Sequence, residues 1–172
     1  LEFEHGVFVF LFLMQMPQHC CRDQLHCGHH GVAVAKRPDH RALGIPLVSL
    51  EDVQAIDLTI DGADEIDGQF CLTKGGGGAL LREKVVAYIS KREAIVVGRD
   101  KVVEKLGTIF PLPVEITPFA RPMVMRAISG LGAEPKLRTL DSGEPYHTDN
   151  GNEILDCAFP DGISDPATLE AD

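Results

Sequence analysis

Apolar and polar positions along the chain fall into three stretches of different rhythm. The first holds one apolar run, Val7 to Met14, followed by a polar tract rich in cysteine and histidine. From residue 31 the pattern becomes that of alternating helices and strands. Gly44 is the stop signal of a helix ending over 41–44. Residues 47–49 read as a short strand, 55–60 as a mostly buried strand and 69–73 as another. A helix is expected over about 79–92, with Leu81, Val85, Tyr88 and Ile89 at helical spacing as its core stripe. A strand over 94–97 follows.

Pro111-Leu112-Pro113 marks a boundary, beyond which the rhythm changes again. A strand is expected at 114–117, a helix at 121–131, and strands at 136–139 and about 147–159. The second of these is interrupted by Asp149-Asn150-Gly151-Asn152, and a further helix starts at Asp165-Pro166. This β-α-β-β-α order predicts a ferredoxin-like unit whose last strand would lie after Asp172. The organisation read from the pattern is an atypical N-terminal segment (1–30), an α/β unit (31–110) and a smaller, truncated α+β unit (111–172).

Composition narrows the class. Hydrophobic residues make up 44% and charged residues 24% of the chain, the balance of a globular protein rather than a disordered one. With 26 Asp and Glu against 16 Lys and Arg, the net charge of -10 argues against a nucleic-acid binder, which needs a basic face. A single phosphate needs only a few local cations, so a phosphorylated small molecule stays open. The run at Val7 to Met14 falls far short of the roughly 20 residues of a membrane span. It follows acids rather than a basic segment, so it does not read as a signal peptide. Five cysteines, unevenly spread, do not make a disulfide framework and point to a reducing compartment. His19, Cys20, Cys21, His26, Cys27, His29 and His30 carry zinc-type ligands, but at no familiar finger spacing. The tract reads either as a zinc-binding element over 19–30 or as an atypical terminus.

Four features carry candidate chemistry. Asp61-Gly62-Ala63-Asp64-Glu65-Ile66-Asp67 follows directly on a buried strand, where α/β sheets bind ligands. Paired carboxylates there can divide acid and base roles, and the same stretch also reads as a solvated acidic turn. Lys74 precedes four glycines, Gly75 to Gly78, that lead into a helix. Glycine backbone and helix-start amides beside a lysine can hold a phosphate or an oxyanion; a glycine run also reads as a flexible turn. Glu83 lies in the first turns of that helix, as a general base near the loop or as an acid favoured by the helix dipole. Lys101 stands just past a strand end, as a phosphate partner or a solvated lysine.

Residues 57–67 (Asp-Leu-Thr-Ile-Asp-Gly-Ala-Asp-Glu-Ile-Asp) and 74–84 (Lys-Gly-Gly-Gly-Gly-Ala-Leu-Leu-Arg-Glu-Lys) together resemble the A-type ribose-5-phosphate isomerases. Pro111-Leu112-Pro113-Val114-Glu115 and Thr148-Asp149-Asn150-Gly151-Asn152 match that family's pattern in the same order. The resemblance covers residues 31–172 and is strongest over 55–115. It implies a Rossmann-like three-layer α/β domain followed by a ferredoxin-like lid. It also implies interconversion of ribose 5-phosphate and ribulose 5-phosphate through an enediolate, in the non-oxidative pentose phosphate pathway. By resemblance, Glu83 is the general base, and Lys74 with Gly75, Gly76 and Gly77 stabilises the oxyanion. Asp61 and Asp64, with Gly62 and Ala63 between them, bind sugar hydroxyls and assist ring opening, and Lys101 contacts the phosphate. No metal or organic cofactor is implied. The expected partners are a sugar phosphate and further copies of the chain, with no nucleic acid or membrane. The expected setting is cytoplasmic, with a plastid as the alternative. The family's Thr-Gly-Ser-Thr-type phosphate loop is not found in this sequence; residues 1–30 stand in its place. A non-catalytic sugar-phosphate-binding module and a zinc-binding interaction protein built on 19–30 are the competing readings.

Overall fold

The computed structural model describes residues 9–11, 13–15, 48–53 and 55–171. The Cys/His tract over 19–30, the helix end at 41–44 and Leu47 lie outside the described residues. Two short strands come first, β1 (Val9–Leu11) and β2 (Leu13–Gln15). Residues 48 and 49 are not in a strand. Ser49 instead accepts the Glu51 N–H and starts a single 3-10 turn at Leu50–Asp52.

The expected strand over 55–60 is confined to β3 (Thr59–Asp61). Ile56 reaches only an isolated bridge to Ser90, and Asp57 between them turns outward to Lys91. A tight hairpin follows, β4 (Glu65–Ile66) against β5 (Cys71–Thr73). Asp67 Oδ1 accepts the N–H groups of Gln69 and Cys71, and Phe70 takes a φ of 63°, so the strand expected from residue 69 begins only at Cys71.

Helix α1 (Leu81–Tyr88) is shorter at both ends than the expected 79–92. At its start Leu80 is buried and non-helical (φ -138°, ψ -69°). At its end Ser90 Oγ donates back to the Val86 carbonyl at 2.6 Å and therefore accepts from Thr59 Oγ1, while the Lys91 N–H leaves for Ile56. The expected core stripe is also corrected: Tyr88 is 90% exposed and Val85 lies outward too. At roughly 100° per residue, Val85 and Tyr88 sit across the helix from Glu83, and Ala87 and Ser90 share the Glu83 side.

β6 (Glu93–Ile95) pairs parallel with β3, and α1 lies in the connection between them, a β-α-β crossover. β7 (Leu112–Ile116), α2 (Arg121–Gly130), β8 (Glu134–Leu137), β9 (Glu153–Ala158) and α3 (Pro166–Ala171) complete the order. β7 starts inside the expected boundary at 111–113. Pro113 is tolerated in a strand because it pairs only with Asp156 of β9, while β1 pairs with residues 114–116. The antiparallel sheet runs β1-β7-β9-β8, and β2-β5-β4 forms a second sheet. The last long strand starts at Glu153, after the turn at 149–151, rather than at 147.

α/β describes the whole, and one apolar core runs through it. Leu112, Val114 and Ile116 of β7 and Leu155 of β9 meet Val124 of α2, and Leu106 and Cys71 from the first half join the same cluster. Cys71 and Cys157 are buried free thiols. Burial, with the Asp156 charge second, raises the Cys157 thiol to about 12. No helix among the described residues is long and apolar enough to cross a membrane.

Candidate active site

The site is built where β3, the β4–β5 hairpin and the start of α1 converge. Lys74 follows β5 directly, and its side chain is only 6% exposed. A buried ammonium needs anionic or carbonyl partners, because desolvation without them is costly. Three are in place. Its Nζ lies 2.9 Å from Asp61 Oδ2, 3.0 Å from Glu83 Oε2 and 2.8 Å from the Gly62 carbonyl oxygen. Asp61 comes from the end of β3 and Glu83 from the first turn of α1, so one lysine ties strand, loop and helix together. Burial alone would pull the Lys74 ammonium down, but the Asp61 hydrogen bond, then the charges of Glu83 and Asp61, hold it above the ordinary lysine value.

Glu83 has a different balance. Burial pushes its carboxyl above the ordinary glutamate value, the Lys74 charge pulls it part of the way back, and the Asp61 charge adds to the rise. A partly buried carboxylate with a raised pKa beside a fixed cation is chemically able to take up and release a proton. Glu93, at the start of β6, is raised as well, by burial first and then by the Asp61 charge.

The glycine loop is held rather than loose. Gly75 takes φ 101° and Gly78 φ 85°, and a 2.9 Å bond from the Gly78 N–H to the Gly75 carbonyl closes the turn. Asp64 Oδ2 accepts the Gly76 N–H at 2.7 Å, so the loop is tied back to the acidic segment. A side chain at Gly76 would collide with that Asp64 carboxylate, and one at Gly77 would meet open space. The sequence-predicted Asp61, Gly62, Asp64, Lys74, Gly75, Gly76 and Glu83 therefore form one connected network. Ala63 lies between Gly62 and Asp64, and Gly77 on the open face of the loop.

Lys101 is tied to β4 only through the backbone of the residues that follow it. It ends a 3-10 turn, Arg99–Lys101, and the next residues join β4: Val102 bridges Ile66, and the Val103 N–H donates to the Ile66 carbonyl at 2.9 Å. Its ammonium is not part of the Lys74 network. Among the described residues no group of three metal-type ligands is assembled, and the Lys74 ammonium itself sits between the Asp61 and Glu83 carboxylates.

The acidic segment also hides a structural acid. Glu65 is fully buried, and its carboxylate accepts the N–H groups of Gly107 (2.5 Å), Ile109 (2.6 Å) and Phe110 (2.9 Å). Asp64, in the bend just before β4, instead faces the glycine loop. Three other residues passed over in sequence reach the site from the C-terminal sheet. Glu115 Oε2 accepts the Leu81 N–H at 3.2 Å, at the start of α1. Arg138 donates to the carbonyls of Gly75 and Gly76, each at 3.1 Å, and is paired with Asp156. Only tertiary pairing brings these residues within reach. The one sequence signal was Glu115's place in the Pro111–Glu115 match.

Residues 33–172 match the family described as ribose 5-phosphate isomerase A (phosphoriboisomerase A). A ribose-5-phosphate isomerase A of Desulfatibacillum aliphaticivorans is 54% identical over 119 residues, which cover 69% of this chain and 52% of that protein. The crystal structure of ribose 5 phosphate isomerase A from Neisseria gonorrhoeae superposes with a TM-score of 0.73 at 38% identity, covering 81% of this chain and 60% of that one. A D-ribose-5-phosphate isomerase solved in complex with phospho-erythronic acid gives a TM-score of 0.72 at 38% identity, over 76% of this chain and 57% of that one. The chain thus spans about half the length of the curated relative, 52%.

Proposed function

The chain belongs to the ribose 5-phosphate isomerase A family, and on that premise we propose that its site interconverts ribose 5-phosphate and ribulose 5-phosphate through an enediolate. The observation that carries the reading is the Lys74 ammonium set 3.0 Å from Glu83 and 2.9 Å from Asp61. Aldose–ketose isomerisation needs a base to take the proton from C2 of the open-chain aldose and return it to C1. Glu83 is that base. As the C–H bond breaks, charge moves onto the carbonyl oxygen. Lys74 and the Gly75, Gly76 and Gly77 loop stabilise it, with the Gly76 N–H held by Asp64 and Gly77 on the open face; in such sites one donor is worth about 10²–10³ in rate. Asp61 and Asp64 bind sugar hydroxyls and move protons during ring opening. Gly62 and Ala63 let the sugar approach the backbone between them, and Lys101 meets the phosphate.

The finer architecture belongs to the same proposal. A Rossmann-like unit over 31–110 is supported by the parallel β3-α1-β6 crossover. A ferredoxin-like lid over 111–172 is supported by the β7-α2-β8-β9-α3 order and by β7 lying between β9 and the edge strand β1. The reading carries with it a small sugar phosphate as the ligand, a cytoplasmic setting and self-association of the chain.

The test is ribulose 5-phosphate formation from ribose 5-phosphate by the purified chain beside its Glu83→Gln variant. Turnover that disappears in the variant is the expected result. Folded protein that binds phospho-erythronic acid but turns nothing over, in either form, would replace the isomerase with a sugar-phosphate-binding module.

A further inference from the structure

Arg138 follows β8 and reaches across to the glycine loop with nearly its whole guanidinium engaged. Nη1 donates to the carbonyls of Gly75 and Gly76, both at 3.1 Å. Nε donates to Asp156 Oδ2 at 3.0 Å and Nη2 to Asp156 Oδ1 at 2.5 Å. These contacts use four of the five N–H donors an arginine has. The side chain is 15% exposed, its charge is matched by Asp156, and the Tyr146 ring lies 5.9 Å from its guanidinium carbon. A guanidinium so committed is poorly placed to bind substrate. It is well placed to orient the backbone that does.

The consequence follows from peptide geometry. In a planar trans peptide the carbonyl and the N–H point in opposite directions. With the Gly75 carbonyl on Arg138, the Gly76 N–H is turned the other way, and there it meets Asp64 Oδ2 at 2.7 Å. With the Gly76 carbonyl also on Arg138, the Gly77 N–H is turned away from the arginine. One side chain from the C-terminal sheet therefore fixes two successive peptide planes next to Lys74. Tyr146 adds to the grip, because its hydroxyl packs where a side chain at Gly78 would stand.

We propose that Arg138, held by Asp156, is a positioning residue for the isomerisation, fixing the glycine-loop peptides beside Lys74 so that the Gly76 N–H stays on Asp64 and the Gly77 N–H is left to the developing oxyanion. It acts through Gly75 and Gly76 and touches no reacting atom. The inference rests on the isomerase reading of the site. A lysine cannot replace it, since a single ammonium cannot bridge two carbonyls and a bidentate carboxylate.

The experiment compares the whole chain with Arg138→Ala, Arg138→Lys and Asp156→Asn in steady-state kinetics with ribose 5-phosphate. Arg138→Ala is also assayed with millimolar guanidinium. Displacement of a catalytic loop by about 1 Å can cost about 10²-fold, so kcat of Arg138→Ala falls by about that factor while KM changes little. Guanidinium restores part of it, Arg138→Lys stays low, and Asp156→Asn shows a smaller loss in the same direction. Parental kcat in Arg138→Ala, or a loss in folded protein that guanidinium does not touch, overturns the proposal. Amide exchange of Gly76 in the same proteins separates this outcome from failure of the isomerase reading. Faster exchange at Gly76, with β7 amides unchanged, supports the clamp even where the parent chain shows no turnover. Unchanged exchange refutes it. If Arg138→Ala does not fold, Arg138→Lys, which keeps the charge and most of the stem, carries both measurements.

Discussion

The Lys74 ammonium stands 3.0 Å from the Glu83 carboxylate, and the two residues shift each other's titration in opposite senses. Burial holds Glu83 above the ordinary value of 4.5, and the Lys74 charge is what restrains that rise. The acid limb of kcat/KM is therefore expected above pH 4.5, and replacing Lys74 by Met should move the Glu83 titration further up. Because the folded value is raised, the folded chain binds this proton more tightly than the unfolded chain. Stability from this group is greatest at low pH and declines as pH rises from the unfolded to the folded value. Carboxyl-carbon NMR titration measures the shift directly. A Glu83 that titrates lower in Lys74→Met than in the parent would contradict this account of the pair.

Glu65 anchors the segment that leads into β7. Its two carboxylate oxygens accept three backbone N–H groups, from Gly107, Ile109 and Phe110, in a site with no solvent contact. Glu65→Gln keeps the shape but places an NH2 against at least one of those donors, whichever way the amide lies. A loss of about 2–4 kcal/mol is expected, since a buried donor loses its partner and a charge-assisted bond is removed. Urea unfolding gives the number, and a variant as stable as the parent would show that the carboxylate is not needed there.

The site is most legible in the sequence where chemistry and chain order coincide. Lys74, the glycines and Glu83 lie within one strand–loop–helix, so their spacing alone brought them close, and the acidic segment was correctly set at a strand end. The fold is least legible where one face of an element must be chosen. The apolar positions Val85 and Tyr88 read as a core stripe, yet α1 lies with Glu83 against Lys74 and both of them facing outward. Asp64 and Glu65 look alike in sequence, but Asp64, in the bend before β4, reaches the glycine loop and Glu65, in β4, the 107–110 segment. The site contacts of Arg138, Asp156 and Glu115 are not legible in the sequence for a plainer reason. Their partners lie 18 to 63 residues away in the chain, and local patterns carry no record of strand pairing.

Gly75 is a position where the backbone and the space both require glycine. Its φ of 101° lies in a region that L side chains rarely enter. A methyl group there would press into the Leu80 side chain and stand 3.0 Å from Pro113 Cβ. Leu80 is itself buried and cannot swing aside cheaply. Gly75→Ala is expected to lose about 1–3 kcal/mol from strain, with further loss from the clash. Because the change falls inside the loop that Asp64 and Arg138 hold, kcat should fall more than stability alone explains. Thermal unfolding beside kinetics at a temperature where both proteins are folded checks both parts. Equal stability in the two proteins would mean that the turn at 75–78 relaxes more easily than its hydrogen bonds imply.

Glu115 gives helix α1 a cap that its own sequence lacks. The residue preceding the helix, Leu80, has no side-chain acceptor, and the Leu81 N–H is met instead by Glu115 Oε2 from β7, 34 residues away. The other oxygen accepts Thr148 Oγ1 at 2.8 Å, Asn152 Nδ2 at 2.9 Å and Asn150 Nδ2 at 3.2 Å, so the turn after β8 is fixed by the same group. A glutamine at this position would keep its oxygen on the side of the three donors and present its NH2 to the Leu81 N–H. The helix start then loses both an acceptor and a negative charge at its positive end. Losing such a cap typically costs about 1–2 kcal/mol. Glu115→Gln should therefore lower stability by about that much and speed amide exchange at Leu81, with β9 amides unaffected. Glu115→Ala, which strands all four donors, should cost more. Because Glu83 lies two residues beyond Leu81, a looser helix start also shifts the Glu83 titration. Parental exchange at Leu81 in the glutamine variant would mean that the helix start is held by other contacts and that Glu115 serves only the 148–152 turn.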